Sequence, residues 1–225
     1  MQFTRYDVTL DGINFAIFDT TGLEEPQMGV TGYLKAVEKA YELIVKLSDA
    51  GGIHLLLFCV LGGRITATTQ SNYRLFFECL CGTKVPIALV FTGLVKEVKI
   101  EDWWTRNKTY IEHYGIKNDG HACLRAVQDD TSGEDLAESQ RKILDLLKTC
   151  ALKNEAFSLE PHSWLAKFGK ASQSFIRKLR NPKRRNFMRV LTRHCELDPK
   201  IAGRIIDMMD RGHAGKTYDL KQSMG

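Results

Sequence analysis

Between Phe3 and Leu10 the chain alternates, with Tyr6, Val8 and Leu10 on one side and Arg5, Asp7 and Thr9 on the other. A period of two marks a half-buried strand. Asp11-Gly12 follows, a pair that suits a tight hairpin because both turn positions want positive φ. Ile13 to Phe18 reads as the return strand, ending in the polar loop Asp19-Thr20-Thr21-Gly22. The period then lengthens. Over 33–48, Leu34, Val37, Tyr41, Ile44 and Leu47 form one helical stripe, and Gly51-Gly52 stops it. Ile53 to Leu61 is a continuous apolar run between glycines, the pattern of a strand covered on both faces. A helix is predicted over 67–81, a greasy strand from Pro86 to Thr92 and a short helix over 101–114 that carries Trp103-Trp104. A weaker strand is predicted from Ala122 to Val127 and an amphipathic helix over 134–149.

Strands that alternate with helices in this way imply right-handed crossovers and a mostly parallel sheet. The expected fold class is α/β, with one antiparallel edge hairpin. In such sheets ligands sit outside the carboxyl ends of the strands, so the loops after Phe18, Val60, Phe91 and Val127 are the ones to watch. Past Cys150 the pattern changes. Residues 163–180 read as a basic amphipathic helix, Asn181-Pro182 breaks it, and 184–195 and 198–210 read as two shorter helices. The sequence therefore divides into an α/β part, 1–150, and a basic helical extension, 151–225.

Charge sharpens that division. Residues 1–150 carry 16 Lys and Arg against 20 Asp and Glu, whereas 151–225 carry 16 against 7. An acidic body with a basic extension suggests different partners for the two parts. The longest apolar run, Leu55 to Leu61, is far short of a membrane span, and Met1 to Thr9 lacks the basic-then-apolar pattern of a secretory leader. The six cysteines form no CxxC pair, and they read as reduced core residues of a cytoplasmic protein. His54, within an apolar run, reads as a core histidine. The histidines show no metal-binding spacing.

The loop Asp19-Thr20-Thr21-Gly22 is the most suggestive chemistry. A carboxylate at the end of a strand can hold Mg²⁺ through water, and a glycine three residues on offers a backbone N–H to a terminal phosphate. The run VTLDGINFAIFDTTGLEEP resembles the second and third strands of a Ras-type GTPase with its DxxG switch. The following GGIHLLLFCVLGGRITATTQSNYRLFFECLCGTKVPIALVFTGLVKE resembles the immunity-associated (GIMAP-type) and septin-like GTPases and related fungal G-domain proteins. The resemblance runs from about Tyr6 to Leu147. It implies a GTP-binding switch that uses GTP and Mg. Asp19 would hold the Mg²⁺ shell, the Gly22 N–H would sense the γ-phosphate, and Thr20 and Thr21 would position water nearby. Thr92 and Gly93 would flank the base, with Arg125 and Ala126 in the last base-contacting loop.

The departures from that family pattern bear on activity. Val95 stands where the guanine-reading carboxylate would be, and Leu94 where a lysine packs over the base. A guanine edge left unpaired costs on the order of 1–3 kcal/mol per group. The sequence begins inside what resembles the second strand, so the phosphate-cradling GxxxxGK[ST] loop is missing. The strand that carries it in the family lies between those equivalent to Ile13–Phe18 and Ile53–Val60. Without it, those two strands either separate or pair directly. A N-terminally shortened G domain is expected, with weak or no GTP hydrolysis and no catalytic residue. Gly215-Lys216-Thr217 looks like the end of a phosphate loop, but only eight residues follow it, too few for the required helix.

The alternative reading is a non-catalytic interaction module. Its basic extension, with Arg177, Lys178, Arg180, Lys183, Arg184, Arg185, Arg189 and Arg193, would bind an acidic protein, a membrane surface or RNA. A protein partner or a homodimer fits either reading. Nucleic acid is the least favoured partner on sequence grounds, because no aromatic–basic pattern resembles a known RNA module.

Overall fold

The computed structural model describes residues 3–20, 29–63, 65–125, 133–152, 156–157 and 182–209. The protein is α/β. It divides into two compact units, one of Met1–Ser48 with Leu159–Gly225 and one of Asp49–Ser158. The helix expected over 163–180 and the sequence Gly215-Lys216-Thr217 lie outside the described residues.

In the first unit, β1 (Thr4–Leu10) and β2 (Ile13–Asp19) pair antiparallel along their whole length, from Thr4 opposite Asp19 to Leu10 opposite Ile13. Asp11 (φ 49°) and Gly12 (φ 77°) both take the left-handed conformation the two-residue turn demands. Phe3 packs edge-on against Phe18, with the Lys46 ammonium 5.7 Å from the Phe3 ring centre. Helix α1 (Gly29–Asp49) buries Val37, Tyr41 and Ile44 of the predicted stripe and adds Leu43, while Leu34 and Leu47 at its ends are half-buried. Helix α5 (Pro182–Arg189) runs straight into a π-helical segment, Val190–His194, closed by the Cys195 N–H donating to the Val190 carbonyl. A last helix, α6, covers 199–209. Asp198 starts it, accepting the Lys200 N–H at 2.8 Å. Phe187, Leu191, Cys195, Ile205, Ile206 and Met209 are buried.

The second unit holds β3 (Leu56–Leu61), α2 (Ala67–Tyr73), β4 (Ile87–Thr92), α3 (Ile100–His113), β5 (Gly120–Cys123) and α4 (Gly133–Ala151). The three strands form a parallel sheet in the order β3-β4-β5. Central β4 sends Ile87, Leu89 and Phe91 to one face, where Tyr73, Phe77, Trp103 and Ile111 cover them. Ala88 and Val90 point to the other, against Leu146 and Cys150. That two-sided cover is why the strand reads as an unbroken apolar run. Helix α2 opens on a capping box in which the Thr66 and Thr69 side chains each accept the other's backbone N–H. It then widens into a π-helical segment, Arg74–Leu80. The expected single helix over 67–81 is thus half α and half π.

Three expectations need correction. The hairpin forms its own two-stranded sheet and is not an edge of the parallel sheet, so of the two alternatives, separation or direct pairing, the first holds. The last strand is Gly120–Cys123, not Ala122–Val127. Its position is set by Asp119, whose carboxylate accepts the Ile87 N–H at 2.8 Å and whose N–H donates to the Ile87 carbonyl at 2.8 Å. Gly120 is then required by α4, because a Cβ there would lie 2.8 Å from both the Cys150 Sγ and the Leu146 Cδ1. Finally, His54 and Cys59 are exposed rather than core residues, since both sit on or beside a strand with a single described neighbour. The other five cysteines are buried. No helix among the described residues is long and apolar enough to cross a membrane.

Candidate functional site

The carboxyl end of the parallel sheet is where this architecture would place a ligand. Three loops meet there, after Leu61, Thr92 and Cys123. The Gly62 N–H donates to the Thr92 carbonyl, and the Leu94 N–H to the Leu124 carbonyl at 3.1 Å. Gly93 (φ 74°) makes the turn that lets the chain double back. Leu94 is buried against Gly62, where an added Cβ would lie 2.8 Å from the Thr92 carbonyl oxygen and 2.9 Å from the Leu94 Cγ. Val95, by contrast, is half exposed.

Two arginines hold the loop that follows this turn, at Glu97 and Val98. Arg125 donates to the carbonyls of Glu97 at 3.1 Å and Val98 at 3.0 Å. Its other guanidinium nitrogen lies 3.6 Å from the Glu138 carboxylate. Arg106 donates to Glu97 at 2.6 Å. Lys142, one turn along α4 from Glu138, donates to Glu101 at 2.8 Å and to the Cys123 carbonyl at 3.3 Å. His121 is 3.1 Å from Glu101 and stacks on Trp104, ring centres 4.0 Å apart and 12° from parallel. Partial burial alone would raise the Glu101 carboxyl, but the hydrogen bonds from Lys142 and His121 outweigh it and hold it below the ordinary range. Burial, helped by the Glu101 charge, pushes the Cys123 thiol up to about 12. That leaves Cys123 protonated and inert as a nucleophile near neutral pH.

The chemistry of this cluster is charge matching. Arg106, Arg125 and Lys142 each face a carboxylate from Glu97, Glu101 or Glu138. Three of the sequence-derived site residues meet here. Thr92 and Gly93 form the turn itself, and Arg125 ties down the loop that follows it at Glu97 and Val98. Asp19 and Thr20 are exposed at the end of β2, in the other unit, where Asp19 pairs with Thr4. Thr21, Gly22 and Ala126 lie outside the described residues. Among the described residues no three His, Cys, Asp or Glu side chains gather as a metal site, and Asp19 belongs to no such group.

Sequence reasoning missed Glu101, Trp104, His121, Glu138 and Lys142. Glu101 and Lys142 are 41 residues apart, and Trp104 and His121 are 17 apart. Only the register that sets β5 beside α3 and α4 brings them together, and no local spacing announces it. Comparison with protein-family models gives no match for this chain, and comparison with curated proteins gives none either.

Proposed function

We propose that this chain is a non-catalytic interaction module built on a G-domain-like α/β scaffold. The order of hairpin, helix and three parallel strands is what the resemblance to a shortened G domain leads one to expect, and it supports the scaffold half of the reading. A single observation carries the other half. Leu94, at the position of the lysine that would pack over a base, is folded inward onto Gly62, and the cations around the loop that follows are already matched by carboxylates. A phosphate or a guanine edge arriving there would have to displace interactions that are already satisfied. The family expectation of GTP and Mg, with Asp19 as the metal ligand, is the parent activity from which this reading departs.

The test is a thermal melt of the 225-residue chain with and without millimolar Mg·GTP. A ligand that binds only the native state raises the midpoint by mass action, by several degrees at a hundredfold excess over its Kd. The expected result is a cooperative melt that GTP does not move. A rise of several degrees, abolished by Asp19→Ala, would restore the nucleotide switch and overturn the proposal.

A further inference from the structure

Helix α5 and the π-helical segment that continues it turn Phe187 and Leu191 inward. Arg185, Arg189 and Arg193 are exposed on the opposite side. In α geometry a residue four positions on overshoots its predecessor by about 40°. In the wider π coil, whose bonds run from i to i+5, a residue four positions on falls short of a full turn. The change from α to π at Val190 therefore partly cancels the drift, and the three arginines stay close to one line. Along α5 they rise about 6 Å for every four residues.

Among the described residues, no acidic side chain neutralises that line. Arg184, next to the stripe, pairs with Asp207. Asp198 is occupied in capping α6. Among the described residues, Arg185, Arg189 and Arg193 take part in no ion pair and no side-chain hydrogen bond. The wider segment 151–225 adds a like-signed field, with 16 basic residues against 7 acidic ones.

We propose that the Arg185–Arg189–Arg193 row docks the phosphodiester backbone of a single-stranded nucleic acid, one phosphate to each guanidinium, without reading bases. The proposal rests on the interaction-module reading and names its partner. Guanidinium forks bind phosphate bidentately. A nucleic-acid strand carries one charge per nucleotide at a regular step whatever its sequence, which suits a regular row. A membrane suits it less, because Phe187 and Leu191 are buried, Met188 and Val190 are partly so, and no large apolar side chain among the described residues of this helix stands exposed to enter the acyl boundary.

The test uses the full chain and a fluorescein-labelled 15-nucleotide oligouridine, read by anisotropy from 50 to 200 mM KCl. Three single-strand phosphate contacts contribute a slope of about −2 to log K against log salt. The triple variant Arg185→Gln, Arg189→Gln, Arg193→Gln should bind at least tenfold more weakly at 50 mM, with a slope shallower by about 2. The triple Arg→Lys variant should fall between the two, and this charge-preserving set serves if the Gln set melts early. Parent chain that does not bind at 50 mM, or a Gln set that binds like the parent, overturns the proposal. So does parent binding to phosphatidylserine vesicles or to polyglutamate that matches the oligouridine and is lost with the same arginines. The Mg·GTP melt on the same preparation separates the two readings. A GTP-shifted melt sinks the interaction-module reading and leaves the arginine result standing. An unshifted melt without oligouridine binding sinks the arginine proposal alone.

Discussion

Strands β2 (INFAIFD) and β4 (IALVFT) have similar apolar content, yet only one is a core strand. No residue of β2 is fully buried, whereas the first five of β4 are. The difference is in what surrounds them. Among the described residues β2 has one hydrogen-bonded neighbour and β4 has two, with helices packed on both of its faces. Hydrophobicity nominates a strand, and the number of elements that cover it decides what its burial is worth.

The sharpest test of that contrast replaces one side chain in each strand. Leu89→Ala leaves a cavity in the second unit and should cost about 2–5 kcal/mol. Phe15→Ala, on half-buried β2, should cost about 1 kcal/mol, roughly half the value of a fully buried Phe. Urea denaturation of the two variants measures both, and equal losses would break the comparison.

Both units should be alkali-sensitive, the second more so: burial pushes Tyr33 up to about 12 and raises Tyr41 in the first, and the second holds three such groups. Burial pushes Tyr73 and Cys81 up to about 12, and Cys123 is raised to the same level. The unfolded chain gives up these protons first, from pH 9 for the thiols and pH 10 for the phenol. Their contribution to stability is therefore complete below pH 9 and is lost as pH rises toward 12. Melts across pH 8 to 12 should show that fall. Tyr73→Phe should flatten its upper part while losing the hydrogen bond its hydroxyl accepts from the Lys117 N–H.

Gly62→Ala probes the closed turn. The new methyl meets the Thr92 carbonyl and the Leu94 side chain, an overpacking that should cost about 1–3 kcal/mol in a melt. The smallest effect is expected at Glu101. Its carboxyl is held below the ordinary 4.5, so its stabilising contribution is present above that pH and lost as the carboxyl protonates below it. Because the side chain is 53% exposed, Glu101→Gln should cost under about 1 kcal/mol at neutral pH and flatten the fall of the melt below pH 4.5.

How legible this protein is from its sequence follows the same contrast. Local signals carry well: Asp11-Gly12 announces the hairpin turn, and the Tyr41 stripe announces α1. Strands β3 and β4 are readable as elements because each is an unbroken apolar run. The start of β5 is not, since Asp119 and Gly120 look like turn residues until the Ile87 pairing and the α4 packing explain them. The candidate site is least legible. Thr92, Gly93 and Arg125 could be named in advance, but the network around Arg125 and Glu101 joins residues from α3, β5 and α4 that only the sheet register aligns.

Cysteine placement gives the molecule a built-in stopwatch. One of its six thiols, Cys59, is exposed on β3, while the other five are buried. A thiol-reactive dye added to the native protein should label one site promptly and the rest only as fast as the surrounding structure opens. The slow phase then times the opening of both units without any introduced probe, because Cys195 lies in one and Cys79, Cys81, Cys123 and Cys150 lie in the other.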